Sequence, residues 1–568
     1  MLHKGSLYLS IALAGSLVLS SCSKLGDLSA DNFTVTPSPL EAVSGQVPVT
    51  INGRFPEKYM KKKAVVTVIP VLRYQGGEAK GQPATFQGER VLGNNQEISY
   101  KVGGNYTMRN TFTYQPAMQQ SELYLTFDAR VGNKTVTVNP VKVANGVIAT
   151  SMLVGRTAAS SNMALGEDAY QYAIAQTQQA QIRYLINQAN IRTSELKSVS
   201  VQDFLGTLRQ IKNDQKGYQL DNIEISAYAS PEGSLQFNTQ LAEKRQNSSE
   251  GYVRGELKKV NMDADINTRY TAEDWEGFQE LVQASNIQDK DVILRVLSMY
   301  SDPEEREQQI RNLSAGFKEL ADEILPELRR ARLTINYNII GRSDDEIQAQ
   351  YKADASKLSI EEVLYAATLT DNAAEKKDIY TTATRLYPND YRAYNNLATL
   401  AIAEGNLTAT EKYLSQAAEK NANAPEINAN RALLALAKGN ISQVETYAAR
   451  ATTAKNYNEV IGNLNMFTGN YAQAAQSLKG CKTNSAALAQ ILSKDYAAAA
   501  QTLANVPNQD ATTSYLKAIV AARTNNNSAV LSNLRDAFAK DASFKAMAAK
   551  DLEFAALFGD AAFQNLVR

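Results

Sequence analysis

The chain has 568 residues, with 59 basic and 59 acidic side chains and a single histidine. That length exceeds what one hydrophobic core serves, so three or more domains are expected. The charge balance gives no support for a general footprint for nucleic acid or an anionic membrane surface, and no nucleic-acid partner is expected.

Lys4 precedes an apolar run from Leu7 to Leu19, which ends in Leu19-Ser20-Ser21-Cys22. A basic start, a short apolar centre and small residues before a cut describe a secretory signal. The ending resembles a bacterial lipobox, which implies a leader over 1–21, acylation of Cys22 and a lipidated linker over 22–31. Two or more acyl chains anchor a protein stably where one does not. Ser23 stands where inner-membrane retention is associated with aspartate, so the outer membrane is the expected address. The run Ser23-Lys24-Leu25-Gly26-Asp27 lacks the acidic character associated with surface display; a periplasm-facing tether is expected, with surface exposure as the alternative.

Removal of that leader takes His3 with it and leaves Cys481 as the one free thiol. Ser-His-Asp and Cys-His catalysis, histidine metal sites, cysteine zinc sites and an internal disulfide are then all excluded. No enzyme and no cofactor are expected.

Residues 32–157 read as strands. "VPVTINGRF", "AVVTVIPVLRY", "ELYLTFDARV" and "KTVTVNPVKV" alternate branched or aromatic with polar residues between Gly- and Pro-containing turns. Their spacing predicts an antiparallel β-sandwich of immunoglobulin-like size. The strands are too few, and lack the aromatic girdles, for a transmembrane barrel.

Residues 165–342 read as α+β. A strand at "AQIRYLIN" leads to a helix over 201–212, then a strand at "DNIEISAYA" and a long helix after Ser230. A polar strand near "DINTRYTAEDW" precedes a helical insertion over about 274–325, and "ARLTINYNII" closes the domain. Ser230-Pro231 suits a helix start, with Ser as N-cap and Pro in the first turn. Leu241, Arg245, Ser248 and Tyr252 share a helical face, so the Arg245 guanidinium must reach solvent or a partner, such as Glu243, Glu250 or a backbone carbonyl. A helix N-terminus beside an arginine also suits a carboxylate ligand. In the insertion, Trp275, Phe278 and Leu281 recur at helical spacing and read as core. The stretch Asp263-Ala264-Asp265-Ile266-Asn267 mimics a calcium loop, but Thr268 stands where glycine is required and Asp274 where glutamate is.

Residues 358–568 are rich in Ala, Leu and Asn, with glycine corners. Gly405 and Gly439, Tyr413 and Tyr447, and Ala398 and Ala432 each lie 34 apart. That period, with a glycine between two helices, is the tetratricopeptide signature. Gly469 and Lys494-Asp495-Tyr496 continue the corners at shorter spacing, and "DLEFAALFGDAAFQNLV" reads as a cap. Four to six helix hairpins in an α-solenoid are expected, with a concave surface to dock a protein.

The stretch Tyr228-Ala229-Ser230-Pro231-Glu232-Gly233, followed by Asn238, Leu241 and Arg245, resembles the OmpA-like peptidoglycan-associating domain. That family's motif is a strand, then G-H/Y-T-D-x-x-G, four residues and N-x-x-L-S-x-x-R-A. Asn187 matches the turn after the family's first strand, and Arg329 and Arg330 its paired arginines before the last. The resemblance covers about 170 residues. It implies that Arg245 takes the carboxylate of a peptidoglycan stem peptide, with Asn187, Asn238, Ser230 and Glu232 around it. Ser230 departs from the family's ammonium-binding aspartate; Glu232 stands two residues on as a substitute. The whole order (lipobox, β-sandwich, OmpA-like domain with insertion, tetratricopeptide tail) resembles outer-membrane lipoproteins of Bacteroidetes-type bacteria. The expected function is a non-enzymatic envelope tether and scaffold. The alternatives are an accessory subunit of an outer-membrane secretion or uptake complex that does not bind peptidoglycan, and a surface adhesin.

Overall fold

The computed structural model describes residues 25–287, 290–312 and 318–568. Cys22 and the stretch that resembles a lipobox lie outside them. The chain divides into two units, Met1–Glu167 with Asp371–Arg568, and Asp168–Thr370.

In the first unit the strands are β1 (Phe33–Thr36), β2 (Gln46–Phe55), β3 (Ala64–Tyr74), β4 (Gly77–Lys80), β5 (Ala84–Gly88), β6 (Gln96–Ile98), β7 (Gly104–Thr113), β8 (Ser121–Val131), β9 (Lys134–Val136) and β10 (Val141–Gly146). One sheet has the order β1-β2-β7. The other runs β10-β8-β3-β5-β6, with β4 on β3 and β9 on β8. Alternation sets the inner faces: Val47, Val49, Ile51 and Phe55 of β2 and Leu123, Leu125 and Phe127 of β8 are buried in one shared core. "KTVTVNPVKV", expected as one strand, is two: β9 ends at Val136 and β10 begins at Val141. Pro140 has no N–H to give a ladder, which explains a break there.

Among its described residues the same unit holds five helix hairpins, over 391–420, 425–448, 457–477, 484–504 and 511–540. Each turns on one residue with positive φ: Gly405, Gly439, Gly469, Lys494 and Asn525. The next N–H reaches back five residues, as from Asn406 to the Ala401 carbonyl (2.9 Å), Asp495 to Gln490 (2.8 Å) and Asn526 to Ala521 (2.8 Å). This left-handed stop satisfies the last helical carbonyls, and glycine adopts it without strain. The following side chain then caps the next helix: Asn406 accepts from the Ala409 N–H and Asn526 from the Ala529 N–H. The corner at Asn525 carries no glycine and was not anticipated from the sequence. A cap follows, with Phe554 and Phe563 buried against Tyr515 and its neighbours.

The second unit is built on β11 (Ala173–Arg183), β12 (Tyr218–Tyr228), β13 (Ile266–Thr271) and β14 (Arg330–Ile340), in the order β11-β14-β12-β13. β12 and β13 are parallel and the other pairs antiparallel. Ile182, Ile223, Ile225, Ala227, Leu333 and Ile335 face the helices Val199–Asn213 and Leu235–Lys259, whose Phe204, Leu208, Val253 and Leu257 complete the core. The first strand ends at Arg183, so "YLIN" of the expected strand is a loop, turning at Asn187 with φ +57°. Helices Trp275–Ala284, Lys290–Met299 and Pro303–Asn312 form the insertion, with a small core around Phe278, Ile293 and Leu320. Trp275 packs against Phe278 at that core, as its spacing predicted.

Among the described residues no helix is long and apolar enough to cross a membrane. Among them, too, no group of three His, Cys, Asp or Glu side chains is placed to hold a metal.

Candidate functional sites: a buried corner and a filled groove

The corner after β12 differs from its sequence reading in one respect. The long helix begins at Leu235, and its N-cap is Ser234, not Ser230. Ser230 is buried and donates to Glu232 Oε1 at 2.9 Å, so Pro231 and Gly233 lie in a turn outside the helix. Glu232 anchors that turn. Its two oxygens accept from Arg329 Nε (2.9 Å) and Nη2 (3.0 Å), and its carbonyl accepts from Arg311. Asn238 closes the turn from the helix, donating to the Gly233 carbonyl at 2.9 Å.

Arg245 is fully buried. Its guanidinium donates to the carbonyls of Gln188 (Nε, 3.0 Å), Tyr228 (Nη1, 2.9 Å) and Leu185 (Nη2, 3.1 Å) and lies over the Tyr184 ring. Burial pulls its pKa down to about 10, which leaves it charged at neutral pH. The sequence left its partner open among Glu243, Glu250 and a backbone carbonyl; three carbonyls take it. It therefore ties the loop after β11, the end of β12 and the helix together. Asn187 lies inside that tied loop, between two of the carbonyls the arginine holds. Next to it, Arg330 makes a buried ion pair with Asp274 at 2.9 Å, and Asp274 also caps the helix Trp275–Ala284 through the Gly277 N–H.

The corner thus gathers Asn187, Ser230, Glu232, Asn238 and Arg245 into one region. Both of its charged groups, Arg245 and Glu232, are engaged by the protein itself. Arg245 is fully enclosed, so a carboxylate ligand reaches it only if the loop after β11 opens.

The second site was not read from the sequence. After a turn at Ser160 and Ser161, residues 162–167 run without regular structure along the first helices of the hairpins, from the fourth towards the first. Asn396 accepts from the Gly166 N–H (2.8 Å) and donates to the Gly166 carbonyl (2.9 Å). Asn430 does the same to Ala164, at 2.8 Å both ways, and Asn395 adds a bond to the Ala164 carbonyl. Asn456 donates to the Asn162 carbonyl at 2.9 Å. Asn463 and Ser485 bond the Ser161 hydroxyl, both at 3.1 Å. Beyond them, Arg392 donates to the Glu167 carbonyl and Lys455 pairs with its carboxylate. A primary amide presents one acceptor and two donors side by side, so a single Asn satisfies both the N–H and the C=O of one extended residue. Asn396 and Asn430 are buried and lie 34 apart, one repeat period. The sequence signal was therefore present in "YNNLA" and "INANRALLA", but aligning the glycine corners did not single it out.

Glu459 sits under this segment. It is 3 % exposed, and its oxygens accept from Asn162 and Thr483, both at 3.4 Å. Burial pushes its pKa up to about 7. Cys481 beside it is partly buried, its thiol pushed up to about 11 by the same cause.

No protein-family model matches the chain, and no curated protein matches it. Solved structures similar to it include a tetratricopeptide repeat protein from Parabacteroides merdae (13% identity, TM-score 0.27, covering 41% of this chain and 94% of that one). PilF of Pseudomonas aeruginosa is similar at 16% identity and a TM-score of 0.25, covering 39% of this chain and 100% of that one. The APC/C hetero-tetramer Cut9–Hcn1 is similar at 12% identity and a TM-score of 0.27, covering 64% and 81%. Scores this low leave the assignment of the helical repeats to rest on their own period and corner geometry.

Proposed function

We propose that the chain is a non-enzymatic scaffold of the bacterial cell envelope, held to the outer membrane through acylated Cys22 and facing the periplasm, whose helical repeats bind extended protein segments. One observation carries the binding role: the repeats already hold an extended segment by its main chain, through Asn396 and Asn430. The lipobox supports the address.

The OmpA-like resemblance adds contact with peptidoglycan through the corner at Ser230–Gly233. The engagement of Arg245 by three carbonyls and of Glu232 by Arg329 favours the other reading, a corner kept as an assembly module that does not bind the wall. The test is sedimentation of the full chain in detergent with isolated sacculi, wild type beside Glu232→Gln and Arg329→Gln. Pelleting lost in these variants supports the cell-wall contact. A wild type that stays in solution removes it and leaves the scaffold. Mass spectrometry of the cell-derived protein tests the anchor: an unmodified Cys22, or an uncleaved leader, contradicts it.

A further inference from the structure

Residues 160–167 occupy the groove of the repeats as a peptide ligand would, and their contacts define what the groove takes. The bonds from Asn395, Asn396, Asn430 and Asn456 all go to main-chain atoms of this segment, so they do not select a side chain. Over residues 164–166 selection comes from space. Ala164 is buried, and a Cβ on Gly166 would stand 2.8 Å from the Cβ of Arg392 and 2.9 Å from its Cα, too close for any side chain. Leu165 between them points outward and is 49% exposed. Glu167 follows, with Lys455 on its carboxylate. Reading along the segment, the groove fits a small residue, any residue, glycine and an acid.

We propose that this groove is a docking site for an extended segment of that pattern on a partner protein, and that residues 160–167 are a tethered occupant which the partner displaces. The proposal deepens the scaffold reading and rests on it for the existence of an outside partner. A short tether supplies an effective concentration of ~mM, so a free segment competes poorly until the occupant is released. Binding is thereby gated by the chain itself.

The test uses the full chain and a fluorescent peptide with the sequence of residues 158–169. Three proteins are compared by anisotropy, with folding checked by circular dichroism: wild type, Ala164→Asp with Gly166→Val, and that pair combined with Asn396→Ala and Asn430→Ala. The expected result is binding by the second protein on the order of 100-fold tighter than by wild type, because the tethered competitor is gone. The third should lose on the order of tenfold or more, because two buried main-chain residues lose their partners. A folded second protein that does not bind, or binding indifferent to the two asparagines, overturns the proposal. Should the variants fail to fold, the unaltered chain decides. Millimolar peptide should speed hydrogen exchange at the Ala164 and Gly166 amides, and unchanged exchange overturns the proposal. Since the probe is the chain's own sequence, either outcome stands whether or not the envelope address is right.

Discussion

The Arg245 guanidinium donates to the Tyr228 carbonyl at 2.9 Å, across the junction of the long helix and the last residue of β12. Two more carbonyls, of Leu185 and Gln188, complete its surroundings. The arginine pairs the buried Tyr228 carbonyl and ties it to two carbonyls of the loop after β11, of which that of Leu185 also accepts from the Gln188 N–H at 3.1 Å. Arg245→Ala should therefore destabilise the second unit by about 1–3 kcal/mol. Arg245→Lys should recover only part of that, since an ammonium lacks the planar fork that spans the three oxygens. Chemical denaturation checks both. A folded Arg245→Ala protein of wild-type stability contradicts this role.

Glu232 and Arg329 form a two-pronged pair, largely shielded from solvent. A double-mutant cycle with Glu232→Gln and Arg329→Gln should give a coupling of about 1–3 kcal/mol. A coupling near zero would mean that both groups are free for a ligand.

The asparagine pair makes a sharper prediction. Asn396→Ala removes both bonds to Gly166 and should cost about 2–3 kcal/mol. Asn396→Asp keeps the size but turns a carboxylate towards the Gly166 carbonyl, so it should cost at least as much. Thermal melts measure the loss, and limited proteolysis should open the chain within 160–167 before the helices. Simultaneous cleavage of both would contradict a locally held segment.

Glu459 gives the segment a pH dependence. Its carboxyl is raised from an ordinary 4.5 to about 7, so the folded chain holds a proton that the unfolded chain has released between those values. Stability from this group is thus fully present below about pH 4.5 and is lost as pH rises through 7. The loss amounts to at most about 3 kcal/mol. Glu459→Gln should flatten this component and raise stability at pH 8 relative to wild type. Asp551, also buried and raised to about 6, adds a second component in the same direction. Comparing the variant with wild type across pH 5–8 isolates Glu459. A parallel pair of curves contradicts the assignment.

Much of the architecture was legible because it is periodic. The alternation in β2, β3 and β8 and the 34-residue offset of the glycine corners each report a local rule that the chain obeys. Short or polar strands such as β4 and β6 gave no such signal, since their residues are largely exposed. The helix start at Ser234 was missed because Ser230-Pro231 is an equally good local start. In the fold Ser234 caps the helix and Glu232 stays in the turn before it, held by Arg329, 97 residues away. Arg245 was located correctly as an anomaly on its helix, but its partners lie in a loop and a strand end that helical spacing cannot reach. The filled groove was the least legible. Asn396 and Asn430 look like ordinary helix residues, and the segment they hold, whose residues from 165 on were read into the α+β domain, meets them only across 230 and 266 residues of chain.

Hydrogen exchange over residues 160–167 tests the central claim most directly, because an unstructured linker and a bound peptide differ most in that observable. The amides of Ala164 and Gly166 should be protected on the order of 100-fold over a free chain, and lose that protection in Asn396→Ala with Asn430→Ala. Exchange of both amides at the rate of a free chain in the wild-type protein would contradict the account.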